Sequence, residues 1–361
     1  MINDKSSKIE SQIAEAAKQV DSSNAIPSGY LEIKLSSAGK YGAPEVFHVR
    51  NFSTEDLVHL AVSDDSELPQ RTVEFLNNVI WENKDGVDVA NWHEKEVIET
   101  LLIIFKTYYG KKLTNLTWDA TDEDKEYLAH QFGGKDSQEY QNRLNALETG
   151  EWKPVFDLNL DDVKFYKLPD DYKTQANIKN KFGFKCTYSW PRYGDVLKIK
   201  AYTDALYKEK DKRYERLQKI ARFRQQAEQK ALSGSTVNLM SVPDITNSDR
   251  EELRKYEEEK LNFMTVCMRA IQLTSIGDID LKDAPLEERV KYAQDPGLDF
   301  ATFKQIQTAF NENLKIGPIE DMNVLDPILN KIVNRKISFR VFDIISALRD
   351  ATADGVTVDF E

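Results

Sequence analysis

The sequence predicts an α+β protein that is predominantly α: a small mixed β-sheet domain with a long helical hairpin and a C-terminal helical domain. Three observations predict it. Period-two apolar runs cluster between residues 30 and 52 and again between 155 and 202. Apolar residues at helical spacing occupy the stretch between these two clusters. From Asp204 onward the chain reads as almost wholly helical.

Near the start, Ile9, Ile13, Ala16 and Val20 lie at helical spacing, and DSSNAIPSG follows as a linker by its Ser, Asn, Pro and Gly content. Residues 1–28 read either as a frayed end or as an arm that docks on a neighbouring subunit. Leu31, Ile33 and Leu35, then Val46, Phe47, Val49 and Phe52, flank a turn holding Gly39, Gly42 and Pro44, which predicts paired strands. Thr54 offers a helix N-cap before Leu57, Val58 and Leu60. Pro69 suits a first helical turn, with Val73, Leu76, Val79 and Ile80 as the face behind it.

NWHEKEVIETLLIIFKTYYG predicts a helix over 92–109, capped by Asn91, with Glu94 three residues on and Gly110 as the stop. Val97, Leu101, Ile104 and Tyr108, widened by Ile98, Leu102 and Phe105, give a broader apolar stripe than a surface helix needs. This is expected to be the most buried element. Residues 111–150 turn acidic and polar; Thr121 with Asp124, and Ser137 with Gln138 and Glu139, mark two helix starts of an exposed insertion.

Val155 to Leu168 alternates again. Phe182, Phe184, Cys186 and Tyr188 fall on one face of a second hairpin, with Val196, Leu197, Ile199 and Tyr202 as the return across the turn WPRYGD. One mixed sheet from 30–52 and 155–202, backed by the 92–109 helix, is the simplest packing. Two long helices follow, one running to Ser233 with Tyr214, Leu217 and Ala221 on a stripe. The other is capped by Ser248 and Glu251, ends at Gly277 and carries Phe263, Val266, Cys267, Ala270 and Leu273. They are long enough for an antiparallel hairpin. Shorter helices are expected near 285–294, 300–314 and 321–334, and SFRVFDIISALRDA as a last one. The tail GVTVDFE is strand-like and needs an edge to pair with. The organisation expected is therefore an arm and linker at 1–28, an α+β core at 29–202 with its insertion at 111–150, a helical hairpin at 203–277 and a helical region with tail at 278–361.

At 361 residues two or three units are expected. Forty per cent apolar and thirty per cent charged residues suit a subunit with long solvated helices, or one whose apolar surface is completed by partners. The net charge of −12 disfavours a nucleic-acid binder, since phosphate repels an acidic surface. The two cysteines, Cys186 and Cys267, fit a reducing compartment and no disulfide framework. No run approaches the ~18 apolar residues of a membrane span, and the N-terminus lacks a signal-peptide pattern. A soluble cytoplasmic protein is expected.

The chemistry of enzymes and metal sites leaves little trace. His93-Glu94 begins like a metalloprotease helix, but Val97 stands where the second imidazole belongs, so His93 reads as a surface residue of a first turn. Gly133-Gly134-Lys135 has Ala129 and Asp136 where a phosphate loop needs Gly and Ser or Thr. Asp278, Asp280 and Asp283 suggest a calcium loop, but Lys282 occupies a ligand position. No Gly-x-Ser-x-Gly occurs, and carboxylate pairs such as Asp161-Asp162 carry no information in a chain this acidic. No catalytic residue, cofactor or metal ligand is assigned, and no enzyme is expected. The one basic stretch, Lys208 to Arg224 with Tyr207, Tyr214 and Phe223 interleaved, has three readings: a helix solvated and bridged by Glu209, Asp211 and Glu215, a surface for a protein partner, or a nucleic-acid grip.

A strand-like lead into SSAGKYG, the strand HVRNFSTEDL, a helical middle and an apolar helix ending in YYG resemble the core of the baseplate-hub and hub-assembly proteins of contractile-tailed bacteriophages. The resemblance runs on through FDLNLDDVKFYKLP and KFGFKCTYSWPRYGDVLKIKAY, covers about Tyr30 to Tyr202, and lies in the order of the pieces. Some members of that family carry a cysteine pair able to hold zinc where Cys186 stands; the neighbours Thr187, Tyr188, Ser189 and Trp190 give no such pair, so a buried thiol is expected. The resemblance implies a structural or assembly role without catalysis, in the host cytoplasm during assembly and in the virion's tail baseplate. Other tail proteins, or further copies of the chain, would be the partners. An assembly chaperone absent from the mature virion is the first alternative, and a cytoplasmic nucleic-acid-associated protein using 208–224 the second. The residues expected to bind a partner are Ile9, Ile13, Lys212, Arg216, Arg222, Val356, Val358 and Phe360.

Overall fold

The computed structural model describes residues 28–53, 67–117, 121–149, 155–232, 242–294, 300–326 and 328–354, with Ile26, Glu55, Asp56, Leu60 and Trp152. In chain order the elements are β1 (Leu31–Ile33), β2 (Phe47–Val49), α1 (Leu68–Val79), α2 (Glu94–Tyr108), β3 (Lys112–Thr117), α3 (Asp122–Gln131), α4 (Gln138–Thr149), β4 (Val155–Asn159), β5 (Gln175–Lys179) and β6 (Lys185–Ser189). Then come α5 (Asp195–Leu232), α6 (Asn247–Gln272), β7 (Leu273–Ile276), β8 (Ile279–Asp280), α7 (Leu286–Ala293), α8 (Phe300–Asn313), β9 (Asp321–Asp326), β10 (Lys331–Lys336) and α9 (Val341–Asp354). Helix outweighs strand 52% to 16%, so the class is α+β and predominantly helical. Two compact units divide the chain: Met1–Val89, Lys95–Tyr166 and Ile316–Glu361 form the first, Ala90–Glu94 and Lys167–Lys315 the second. This division is drawn at other points than 202/203 and 277/278.

In the first unit, β1 pairs with β2 so that Leu31 faces Val49 and Ile33 faces Phe47. Ile33, Phe47 and Val49 are buried with Leu76 and Val79 of α1 and with Leu101, Leu102, Ile104 and Phe105 of α2. The broad stripe read from the sequence is why α2 is covered on more than one side. Pro69 does sit in the first turn of α1. Helix α2 begins at Glu94, so Asn91 is not its cap. Before residues 55 and 56, Ser53 makes a reciprocal turn with Asp56: its N–H and hydroxyl both donate to Asp56 Oδ2 at 2.7 and 2.8 Å, and its Oγ accepts from the Asp56 N–H. Thr54 lies outside the described residues.

The sheet is not one mixed layer. The described ladders are all antiparallel and form four separate sheets, β1-β2, β3-β4, β9-β10 and β5-β6-β7-β8. Residues 321–334, expected as a helix, form most of the β9-β10 hairpin. Met322, Val324 and Asp326 alternate inward, and period two is what the core reads. Its turn is fixed by Asp326, whose Oδ1 accepts from the N–H groups of Ile328 and Leu329, and by Asn330 at φ 50. In the insertion, Thr121 and Asp124 form the expected capping box. Leu128, Ala129 and Tyr140 pack with Ile328 and Leu329 of that turn. Fully buried Asp124 and Asp326 share Arg335, each at 2.6 Å.

In the second unit, β6 lies between β5 and β7. The expected return strand at 196–202 is instead the start of α5. Asp195 accepts the Arg192 N–H at 2.8 Å in its first turn, and Ile199, Thr203, Tyr207 and Tyr214 give the buried stripe. Helix α6 stops at Gln272 rather than Gly277 because Leu273 to Ile276 pair with β6. Its cap is Thr246 with Asp249, two residues ahead of Ser248 and Glu251. Gly194 is needed for contact: a Cβ there would stand 2.6 Å from Ala90 Cβ, where the Gly194 N–H donates to the Ala90 carbonyl. His93 is buried, edge-on to Trp190 at 6.2 Å between ring centroids, and not a surface residue.

Candidate protein-binding face of helix α5

Helices α5 and α6 run antiparallel, joined through tyrosines. Tyr214 and Tyr256 stack at 4.1 Å and 13°, and Tyr207 meets the edge of Tyr256 at 6.0 Å and Phe263 at 5.8 Å. Each phenol tip finds a carboxylate. Tyr214 donates to Glu252 at 2.9 Å, Tyr207 to Glu259 at 3.4 Å, and Tyr256 to Asp211. Burial, with these carboxylates beside them, pushes Tyr207 and Tyr214 above the usual phenol value, so both hydroxyls keep the proton they donate.

The basic stretch divides between the two sides of α5. Lys210 reaches Glu259 at 3.0 Å and Arg213 reaches Glu252 at 2.8 Å, both across to α6. Arg224 reaches Glu228 at 2.8 Å and Asp244 at 3.8 Å. Two of the bridging carboxylates, Glu252 and Glu259, are thus on α6, while Glu228 is an i,i+4 partner within α5 and Asp244 precedes α6. The other cations, Lys208, Lys212, Arg216, Lys219 and Arg222, fall within about a third of the helix circumference at ~100° per residue, with exposed Glu215 among them, and are all exposed. Lys212 pairs with Glu209 at 2.9 Å. Lys208, Arg216, Lys219 and Arg222 make no ion pair among the described residues. Phe223, exposed on the same arc, adds a ring to a charged surface.

Of the residues expected to bind a partner, Lys212, Arg216 and Arg222 come together on this face. Ile9, Ile13, Val356, Val358 and Phe360 lie outside the described residues. Cys186 and Cys267 are both buried, and burial pushes the Cys267 thiol up to about 11, which keeps it protonated and inert near neutral pH. Among the described residues, no three His, Cys, Asp or Glu side chains are grouped to hold a metal ion, and no helix is long and apolar enough to cross a membrane.

Sequence reasoning missed Phe182 and Phe184. It placed them on one strand face with Cys186 and Tyr188, but both stand exposed on the turn between β5 and β6 while Cys186 and Tyr188 are buried. The signal was present in the sequence, since Gly183 between two aromatics marks a turn tip rather than a strand.

No protein-family model, curated protein or solved structure matches this chain.

Proposed function

We infer that this chain is a non-catalytic, protein-binding component of a contractile bacteriophage tail, at or near the baseplate hub, acting in the host cytoplasm during assembly and then in the virion. The tail setting rests on the resemblance over Tyr30 to Tyr202. The binding role rests on one observation: four cations on the outer arc of α5 lack ion pairs among the described residues, in a chain whose net charge is −12. An acidic neighbour would gain from that arc in orientation and encounter rate. Mass spectrometry of purified particles, set against lysate of the producing cells, tests the tail setting; absence from both particles and assembly intermediates removes it. Presence only in intermediates favours the assembly-chaperone variant. The binding role is tested by Arg216→Glu combined with Arg222→Glu, which should leave the folded chain intact and cut its incorporation. Normal incorporation would remove α5 from the interface.

A nucleic-acid role for the same arc is the second reading, supported by the exposed Phe223 among the cations. A gel shift that weakens steeply with salt would support it. No shift at low salt removes it.

A further inference from the structure

Within the second unit, the first turns of α5 and α7 meet β6, β7 and the loop after β8 around a cleft of about 410 Å³. Small-molecule sites run from about 300 to 1,000 Å³, so there is room for a carbon skeleton as well as for charged groups. The lining is cationic, in a chain whose net charge is −12. Arg192 and Lys198 come from the start of α5, Lys282 from the loop and Arg289 from α7, against a single lining carboxylate, Asp195. Thr174 and Gln175 add polar groups, and Trp190 and Leu286 an apolar wall.

Arg289 is the anchored member of this set. Its guanidinium is partly buried and held by three main-chain carbonyls: Nε donates to Ala284 at 2.9 Å, Nη1 to Ile271 at 2.8 Å and Nη2 to Lys282. One N–H remains on each terminal nitrogen. It makes no ion pair among the described residues. Asp195, Asp283 and Asp280 act on it from farther off, yet burial outweighs them and lowers its pKa from the usual guanidinium value. Arg192 and Lys282 also lack an ion pair among the described residues, although Arg192 reaches Asn91 at 3.2 Å. Lys198 has only a long one, 3.8 Å to Asp195. A cation drawn out of water without a close counterion costs free energy, and an anion brought against it offsets that cost through charge-assisted hydrogen bonds.

We propose that this cleft binds a small organic polyanion, its phosphate or carboxylate groups held by Arg289, Arg192, Lys198 and Lys282 and its carbon skeleton against Trp190 and Leu286. The inference is independent of the tail reading and of the outer arc of α5, which lies further along that helix.

Titration calorimetry of the full chain with sodium pyrophosphate and, separately, sodium citrate is the experiment, at about pH 8, above the ordinary carboxyl range. At least one probe should bind with a dissociation constant on the order of 100 µM, and more weakly as salt is added. Arg289 stays in place, because it also holds three carbonyls. Lys198→Ala combined with Lys282→Ala alters two exposed positions and should weaken binding about tenfold, with unchanged circular dichroism. Asp195→Asn keeps an oxygen for the Arg192 N–H but removes the one carboxylate of the lining, so binding should tighten about threefold or more. Lys181→Ala, on the β5-β6 turn, should change nothing. Preference for pyrophosphate assigns a phosphate ester and preference for citrate a polycarboxylate; either supports the site. No binding of either probe up to about 10 mM overturns the proposal. So does binding that the lysine pair leaves unaltered, an equal loss with Lys181→Ala, or binding no tighter in a folded Asp195→Asn chain. Hexaglutamate that binds through these lysines, when neither small anion binds, assigns the cleft to an acidic protein segment and overturns it too.

Discussion

Helices α2 and α5 show two ways in which this chain stabilises a helix. Nine of the fifteen residues of α2 are buried, among them Glu96, Glu99 and Thr100. Along the thirty-eight residues of α5 only six described side chains are buried: Asp195, Ile199, Thr203, Tyr207, Tyr214 and Ala227. Helix α2 is held by packing from several sides. Helix α5 leans on α6 along most of its length, on Val290 and Ala293 of α7 near its start, and on polar contacts that water can replace. Stability therefore concentrates around α2, while α5 keeps a long solvated arc for other uses. Amide exchange should show the same order, with α2 opening only globally and the far turns of α5 opening locally.

The largest expected effect comes from cutting into α2. Leu101 is fully buried, and Leu101→Ala should cost about 3 kcal/mol, the loss of transfer free energy plus a cavity that its neighbours only partly fill. Urea denaturation reads it directly. A cost under about 1 kcal/mol would mean that α2 is not the centre of the first unit.

Glu99 sharpens the comparison through pH. Its carboxylate is desolvated, which raises its pKa. The N–H of Ser36 at 2.8 Å and its hydroxyl at 2.6 Å pull it back, and neighbouring Glu96 pushes it up again. A carboxyl whose folded pKa is raised takes up a proton on folding. Its contribution is complete below the unfolded value and is lost as pH rises through the folded one. Glu99→Gln removes that dependence, so the variant should gain on the wild type as pH rises above the ordinary carboxyl value of about 4. Urea midpoints across this range test it. A difference that stays constant would show that Glu99 does not titrate there. Asp56 works in the opposite sense, because its pairing with Arg50 at 2.6 Å holds it well below the usual carboxylate range and its contribution is lost only in acid.

What the sequence could reveal followed the same contrast. The breadth of the α2 stripe was visible in Val97, Ile98, Leu101, Leu102, Ile104 and Phe105, because period and burial agree there. The capping box at Thr121 was legible for the same reason: donor and acceptor lie three residues apart. Residues 196–202 were not legible as helix, since Val196, Leu197 and Ile199 satisfy both periods over so short a run, and the Asp195 turn decided. Residues 321–334 failed because the deciding contact, Arg335 between Asp124 and Asp326, reaches more than two hundred positions along the chain. On α5 the number of cations was legible. Which of them α6 would occupy was not, because that depends on the pairing of Glu252 and Glu259 with particular turns of α5.

The smallest effects belong to that pairing, and they separate a half-buried ion pair from an exposed one on the same helices. Lys260 lies about three-quarters covered and reaches both oxygens of Asp211 at 2.9 and 3.0 Å. Lys260→Ala leaves that carboxylate with the Tyr256 hydroxyl alone and should cost about 1 kcal/mol. Lys210 and Glu259 are both exposed, more than half of each side chain facing solvent, and water and salt replace each partner as soon as the other is removed. Lys210→Ala should leave the urea midpoint where it was, and added salt should not separate variant from wild type. If the two substitutions cost the same, the tyrosine layer between α5 and α6 is not shielding Asp211. The hairpin would then be held by its surface charge rather than by its stacked rings.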